Sequence, residues 1–259
     1  MADPSRPGAL REFLGGLGLI GQGLRTWVTA PKLMWLGMVP ALIVGAAAIA
    51  ALVALGFGIA PLSVWVTPFA EGWVEPWRTG IRVLSGTVIV VLAVLLIVFS
   101  FTAVTLAVGG VFYEKIWRHV ESRFGEPPQS LQRGFWGDVR KGLGDGIRML
   151  LSAIGFALLA LPFGFIPVVG PALAAVLSAL FGGWLLAVEL SGFGFDARGF
   201  TLRQRRRALR TRRARALGFG VGVYLLFLIP LGAVIVMPAA VAGAALLSRK
   251  ALGEPVEAP

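Results

Sequence analysis

The chain contains no cysteine and a single histidine. Without cysteine it can form no disulfide, no thiolate nucleophile and no cysteine-ligated metal site. The histidine, His119, lies in a charge-rich segment without partners at metal-ligand spacing, so it indicates neither a metal centre nor acid–base catalysis. We therefore expect a protein that is not an enzyme and that binds no metal and no cofactor.

Charged residues are also scarce. Only 14% of the residues are charged and 57% are hydrophobic, whereas soluble domains carry about 25% charged residues. Four stretches have no charged residue at all: 33–70, 83–113, 149–188 and 216–248. This composition excludes a soluble globule and predicts an integral membrane protein.

The four stretches differ in how well they can cross a bilayer. A hydrocarbon core of about 30 Å needs roughly 20 apolar helical residues, and the first two stretches meet that length. Prolines interrupt the other two, at positions Pro162, Pro167, Pro171, Pro230 and Pro238. Each of these is predicted to form a helical hairpin, re-entrant or short-spanning, that returns on the side it entered. Its tip is expected to be buried in protein or to line a wet cavity.

The fold class predicted is all-α: a polytopic membrane protein with two long transmembrane helices and two proline-broken helical hairpins. We expect one membrane domain, 1–259. Its parts are a first span 33–60, a non-cytoplasmic loop 61–84, a second span with a cytoplasmic extension 85–124, a first hairpin 147–190, an arginine-rich amphipathic helix 198–216 and a second hairpin 217–248.

The distribution of charge predicts the orientation. The loop between the first two spans is neutral, since Glu71 and Glu75 balance Arg78 and Arg82, whereas residues 196–215 hold nine arginines against one aspartate. Basic loops stay preferentially in the cytoplasm. Both termini are therefore predicted to be cytoplasmic, in a multi-pass protein of the cell membrane.

The arginine-rich segment has an apolar stripe, because Leu202, Leu209 and Ala216 recur every seven residues. It is expected to lie at the membrane surface and to hold anionic lipids; drawing anions toward a pore is a further role. Nucleic acid is a poorer partner, since no aromatic side chains interleave the arginines. The arginines expected to contact lipid are Arg203, Arg206, Arg207, Arg210 and Arg213.

Small residues are concentrated in several segments. The sequence Gly16-Leu17-Gly18-Leu19-Ile20-Gly21 matches a dinucleotide-binding pattern, but no strand precedes it and no acidic residue follows about 20 positions later. Close helix packing is the better interpretation. The same holds for Gly218, Gly220 and Gly222 and for the run 239–245. Such faces predict a homo-oligomer.

Some polar residues are candidates for function. Gly23-Leu24-Arg25 would place exposed amides beside a guanidinium at a helix start, which suits an anion; the alternative is an arginine that snorkels to lipid headgroups. Glu189 ends an apolar run and is a functional candidate for that reason; the alternative is an interfacial carboxylate paired with Arg198 or with a neighbouring residue. Further candidates for a pathway or for coupling are Glu114, Arg118 and Glu121.

The order of these segments resembles a known family. The segments that carry the resemblance are Gly23-Leu24-Arg25, Phe112-Tyr113-Glu114-Lys115-Ile116, Phe165-Ile166-Pro167-Val168-Val169-Gly170-Pro171, Phe195-Asp196-Ala197-Arg198-Gly199 and Ile229-Pro230-Leu231. Together they resemble the CysZ-type sulfate permeases, which share a domain with the etoposide-induced membrane proteins. The resemblance implies sulfate uptake for cysteine synthesis, two long transmembrane helices with two partly penetrating helix pairs, and sulfate contact at Gly23, Leu24 and Arg25.

The function expected is a membrane permease or channel for sulfate or a related oxyanion. Here Thr26 stands where the family often has a second basic residue. The alternative is a membrane-embedded scaffold that binds lipid or a partner protein and transports nothing. The partners expected are the anion, anionic lipids and further copies of the chain.

Overall fold

A computed structural model describes residues 8–128, 134–166, 169–229 and 231–256. These residues form nine α-helices: α1 Ala9–Thr29, α2 Pro31–Val66, α3 Trp77–Glu121, α4 Gly134–Ala160, α5 Val169–Leu190, α6 Gly192–Ala197, α7 Leu202–Thr211, α8 Arg213–Phe227 and α9 Gly232–Leu252. The chain divides into two compact units, Met38–Phe112 and the remainder, Met1–Gly37 with Tyr113–Pro259.

The prediction of an all-α polytopic membrane protein is confirmed. Among the described residues, five helical segments are long and apolar enough to cross a membrane: Pro31–Val66, Trp77–Ile97, Arg140–Phe163, Val169–Ala197 and Gly232–Leu252. The protein is therefore located in a membrane.

The two long helices extend further than the sequence suggested. α2 has 36 residues and α3 has 45, so at 1.5 Å per residue they measure roughly 54 and 67 Å. Pro61 lies inside α2. A proline is tolerated in a membrane helix when the backbone groups that it frees are satisfied locally. The connection between the helices is thus shorter than the loop 61–84 that we expected.

The first hairpin consists of α4 and α5, joined by a 3₁₀ segment at Leu161–Phe165. α4 begins at Gly134 and not at residue 147, so it includes the charged segment before the apolar run. The rings of Phe156 and Phe181 stack between the two arms with centroids 4.2 Å apart. Pro162 lies in the first turn of the 3₁₀ segment, and Pro167 lies outside the described residues.

The second hairpin consists of α8 and α9, and it differs from the prediction at its start. The expected single helix 198–216 is two helices, because α7 ends at Thr211 and α8 begins at Arg213. Thr201 and Gln204 form a capping box that starts α7. α8 continues without a break to Phe227, so arginines and the first hairpin arm share one helix. Pro230 lies outside the described residues.

The core of the larger unit surrounds α9. This helix is almost entirely buried from Val236 to Arg249. The neighbouring helices α1, α5 and α8 approach closely at glycines. A Cβ atom on Gly16 would collide with the carbonyl oxygen of Arg215, and one on Gly23 with that of Ala239. A Cβ atom on Gly183 would lie 2.6 Å from the amide nitrogen of Val221. Small residues therefore pack these helices together within one chain.

This packing bears on the small residues that suggested a homo-oligomer, and the homo-oligomer itself stays a prediction. Some of the small residues that suggested it, namely Gly218, Gly220, Gly222 and 239–245, are buried inside the chain itself. They are covered by other helices of the same copy and are not available to a second copy.

The hairpin tips are not buried in the protein, which leaves the wet cavity, the other alternative we expected, as a prediction. Leu161 and Val169 at the first tip are 58% and 62% exposed, and Leu228 and Leu231 at the second are 66% and 75% exposed. Local hydrogen bonds satisfy backbone groups at these turns, for example from the amides of Ile166 to Phe163 and of Ile229 to Leu226. Turns satisfied in this way can present apolar side chains to lipid.

Candidate functional site: an unpaired arginine and three charged clusters

Arg25 lies one turn before the end of α1, and its side chain is exposed. Among the described residues, it has no ion-pair partner and its guanidinium makes no hydrogen bond. An arginine presents five donors in a rigid fork that matches the oxygen atoms of an oxyanion. Arg25 therefore presents an exposed guanidinium without a partner among the described residues, and its role as an anion contact stays a prediction.

Gly23 and Leu24 are placed differently from the expected geometry. Both lie inside α1 and not at a helix start, so their amides belong to the helix's own hydrogen-bond pattern. Gly23 is buried, with α9 so close that its Cβ position is 3.0 Å from the amide nitrogen of Gly243. Leu24 is exposed. Gly23 allows α1 to pack closely against α9. This contact holds α1, the helix that carries Arg25, in position.

Glu121, a candidate for a pathway or for coupling, lies in a buried ionic cluster. The Glu121 cluster comprises Glu121, Arg198, Arg249 and Glu254. Glu121 is 1% exposed, and its Oε2 lies 2.6 Å from Nη1 of Arg249 and 3.1 Å from Nη2 of Arg198. Glu254 lies 2.6 Å from Arg198. These ion pairs connect the end of α3 to α9. The two positive and two negative side chains balance, so the cluster has no net charge.

A second cluster holds the start of α1 against the junction of α7 and α8. The Glu12 cluster comprises Glu12, Arg212 and Arg215. Oε1 of Glu12 accepts hydrogen bonds from Arg212 at 3.0 Å and from Arg215 at 2.9 Å. Oε2 of Glu12 and Nε of Arg215 are buried without a partner among the described residues. One carboxylate facing two guanidinium groups leaves this cluster with one excess positive charge.

A third cluster is centred on Asp196. Its Oδ1 lies 2.6 Å from Nζ of Lys141 and 2.6 Å from Nη2 of Arg205. Arg205 also donates to the carbonyl oxygen of Val188 at 3.2 Å. The Asp196 cluster, Asp196 with Lys141 and Arg205, therefore links α4, α5, α6 and α7. Arg205 is 4% exposed and belongs to the core, unlike the other arginines of α7.

The remaining candidate carboxylates are in different environments. Glu114 and Arg118 form a half-exposed pair at 2.7 Å on α3. Glu189 lies on the exposed side of α5, near the charges of Arg205, Asp196 and Asp145. Arg198, the partner considered for Glu189, instead binds Glu121 and Glu254. Among the described residues, Glu189 has no ion-pair partner.

The arginine-rich segment presents one charged side. Arg203, Arg207 and Arg210 are exposed at helical spacing on α7, and Arg213 is exposed at the start of α8. Arg206 is half-buried and reaches the hydroxyl of Ser152 at 3.5 Å. The predicted stripe Leu202, Leu209 and Ala216 is buried. It packs in the protein core and not in lipid, so only the arginine side of α7 faces outward.

His119 lies on the same helical extension as the Glu114–Arg118 pair. Its Nε2 is 3.2 Å from Nη2 of Arg123, which can only donate, so Nε2 accepts. Partial burial and the positive charge of Arg123 lower the pKa of His119 below its usual value. The imidazole is therefore neutral at neutral pH.

The comparisons with known proteins identify the family of this α-helical membrane protein. Residues 19–238 match the family described as sulfate transporter CysZ/etoposide-induced protein 2.4. The chain belongs to this family.

Curated relatives are similar over almost their whole length. A protein of Pseudomonas aeruginosa strain LESB58 named "Sulfate transporter CysZ" is 30% identical over 253 residues, 94% of this chain and 95% of the relative. A protein of the same name from Pseudomonas paraeruginosa is 29% identical over 249 residues, 93% of this chain and 97% of the relative.

Sequence reasoning missed two of the three clusters and the partners of the third. Glu12 and Arg215 are 203 positions apart, and Glu121 and Arg249 are 128 apart. The available signal was an isolated carboxylate within or beside an apolar segment, which in a membrane protein calls for a cationic partner. Such a signal marks Glu12 and Glu121 but does not identify their partners.

Proposed function

We propose that this chain is a membrane permease for sulfate, supplying sulfate for cysteine synthesis. The observation that carries the proposal is the 30% identity, over 94% of the chain, to a protein named "Sulfate transporter CysZ". A transporter of this kind needs no catalytic residue, in keeping with the expectation that the chain is not an enzyme.

Arg25 is the proposed sulfate contact, with Gly23 and Leu24 as its supports in α1. Its support is an exposed guanidinium that has no carboxylate partner among the described residues. Such a fork can donate two parallel hydrogen bonds to a sulfate, whose oxygens only accept. Gly23 keeps α1 in close contact with α9, so the guanidinium projects from a fixed helix. This positioning lowers the entropy lost when the anion binds.

Sulfate uptake against the membrane potential must be coupled to the entry of cations or driven by consumption of sulfate inside the cell. Moving a dianion into a cell held at roughly −100 mV costs about 4 to 5 kcal/mol from the electrical potential alone, which opposes accumulation by more than about a thousandfold. Of the candidate groups, Glu114, Arg118 and Glu121 are engaged in ion pairs. Glu189 has no such partner among the described residues, so we assign proton coupling to Glu189.

The exposed arginines are assigned to the cytoplasmic membrane surface. Arg203, Arg207 and Arg210 share one side of α7, and anionic headgroups attract basic side chains by about 1 kcal/mol each. Because the segment 61–84 is neutral whereas residues 196–215 are strongly basic, we place both termini in the cytoplasm of a cell-membrane protein. The same positive side raises the local concentration of anions.

The scaffold alternative, a lipid- or partner-binding protein without transport, is not favoured, since the matched relatives carry the names of transporters.

The test is radiolabelled sulfate uptake by cells that lack their own sulfate uptake. Cells with the wild-type chain are expected to accumulate label, and cells with Arg25→Ala to take up at least about tenfold less, as expected for one lost charge-assisted hydrogen-bond pair. Arg11→Ala is the matched control, because Arg11 is also exposed on α1 and also lacks an ion-pair partner among the described residues. Equal uptake by wild type and Arg25→Ala would refute the site.

A further inference from the structure

The smaller unit contains a groove between α2 and α3, close to the connection that joins them. It has a volume of about 470 Å³ and is open on one side. Its polar lining residues are Ser63, Thr79, Arg82 and Thr87, and its apolar lining includes Ile59, Val90 and Val91. The helices meet where Gly86 allows Ile59 and Ser63 to approach.

Arg82 is the charged group of this groove, and the groove supplies nothing to pair with it. Its Nε is buried and has no hydrogen-bond partner, and among the described residues no carboxylate forms an ion pair with it. The three hydroxyls of the lining donate elsewhere: Ser63 to Ala60, Thr79 to Glu75 and Thr87 to Val83. A partly enclosed cation without a counter-ion is costly. The site therefore calls for a negatively charged ligand.

The shape of the groove decides what kind of anion fits. Val91 lies nine residues after Arg82 on α3, so the apolar lining extends roughly 13 Å along the helix from the guanidinium. A compact inorganic anion would leave this apolar length unfilled. A ligand with a negative group at one end and a hydrocarbon chain at the other would occupy both parts.

The level of the groove also agrees with an amphiphile. Trp65, Trp73 and Trp77 are exposed at and beside the connection, and exposed tryptophans of membrane proteins lie at headgroup level. Arg82 is five residues, roughly 7 Å, beyond Trp77 along α3. The guanidinium is thus at the depth of the phosphate groups and the uppermost part of the acyl chains.

We propose that this groove binds a phospholipid, with its phosphate on Arg82 and one acyl chain along Val83, Val90 and Val91. The two parts of the site match the two parts of the ligand. The basic groove is separate in sequence from Arg25 and from the arginines of α7, so the proposal does not depend on the transported substrate.

The test is native mass spectrometry of the full chain titrated with dioleoylphosphatidylglycerol. Arg82→Gln is expected to lose one bound lipid relative to wild type, with an affinity about ten- to hundredfold weaker for that lipid. Arg78→Gln is the matched control, since Arg78 is one turn away on α3 but is already paired with Glu75 at 2.7 Å. Lipid bound by the arginines of α7 is the same in wild type and in both variants. A difference in the number of bound lipids therefore reports binding in the groove.

Four further measurements make the outcome decisive. Dioleoylglycerol, which lacks the phosphate, is expected to bind no better to wild type than to Arg82→Gln. Gly86→Leu fills the apolar groove and should lose the same lipid, whereas Gly86→Ala, whose Cβ would lie 3.6 Å from Ile59, should keep it. Equal lipid binding by wild type and folded Arg82→Gln, or displacement of the lipid by excess inorganic sulfate, would overturn the proposal.

Discussion

Individual charged residues in this protein differ mainly in their access to solvent. Glu121 is almost completely buried between Arg198 and Arg249, whereas Glu114 and Arg118 are both about two-fifths exposed. Buried pairs depend on every partner, because a single removal leaves a charge without compensation. Exposed pairs are screened by water and contribute little.

The first prediction compares these two glutamates. Glu121→Gln removes the charge between two guanidinium groups and is expected to destabilise the protein by about 3 kcal/mol. Glu114→Gln removes one half-exposed i,i+4 pair and is expected to cost about 0.3–0.5 kcal/mol. Thermal unfolding of the detergent-solubilised variants measures both. Equal stability losses would contradict the assignment of Glu121 to a structural cluster.

Single residues were the hardest feature to predict from the sequence. The tripeptide at 23–25 predicted an anion site, which stays a prediction; the guanidinium of Arg25 is exposed and has no ion-pair partner among the described residues. The exposed glycine amides were not found, because α1 continues through Gly23 to Thr29. A helix of 21 residues with its own hydrogen-bond pattern overrides the local tendency of glycine to break a helix.

At the scale of helices, glycine spacing determines which elements touch. Gly23 lies where α9 leaves no space for a Cβ atom, whereas the Cβ position of Gly21, two residues earlier on α1, has no atom within 4 Å. The same substitution at the two positions thus separates packing from intrinsic helix propensity.

The second prediction uses these neighbours. Gly21→Ala is expected to stabilise the protein by about 0.5–1 kcal/mol, because alanine loses less backbone entropy in a helix than glycine. Gly23→Ala is expected to destabilise it by about 1–3 kcal/mol through overpacking against Ala239. The unfolding temperature of each purified variant is the measurement. A stabilised Gly23→Ala variant would show that α1 and α9 are not in close contact.

Helices were predictable where a periodic pattern or a long apolar run defines them. The stripe Leu202, Leu209 and Ala216 predicted an amphipathic helix; its apolar side, expected at the membrane surface, is instead buried in the protein core. The break at Arg212 was not predictable, because Arg212 binds Glu12, 200 positions away. No local pattern encodes a contact between segments so distant in sequence.

At the scale of the whole molecule, length and hydropathy gave the fold class, since an uncharged run of sufficient length has few alternatives to a membrane helix. They did not give the packing partners of the small residues. These residues proved to join helices of one chain, although the same composition is typical of interfaces between subunits.

The third prediction concerns orientation. Since the natural chain has no cysteine, single substitutions Glu71→Cys and Arg207→Cys can be labelled selectively. A membrane-impermeant maleimide applied to intact cells is expected to label position 71 and to label position 207 only after permeabilisation. Labelling in the reverse order would contradict a cytoplasmic location of both termini.

The fourth prediction concerns the depth of the second hairpin. α8 has 15 residues, roughly 22 Å of helix, which is less than the hydrocarbon thickness of about 30 Å. Leu228→Cys at the tip is therefore expected to react with the impermeant maleimide from neither side. Labelling from outside intact cells, at the rate of Glu71→Cys, would instead show that this hairpin crosses the bilayer.

If the chain carries sulfate by way of Arg25, flux through the purified protein in liposomes depends on that guanidinium. Radiolabelled sulfate is supplied outside, and a proton gradient and a membrane potential are imposed separately. We expect flux in the wild type and in Arg11→Ala, stimulation of that flux by the proton gradient, and loss of flux in Arg25→Ala. No flux from folded wild-type protein under any gradient, or undiminished flux in Arg25→Ala, would contradict it.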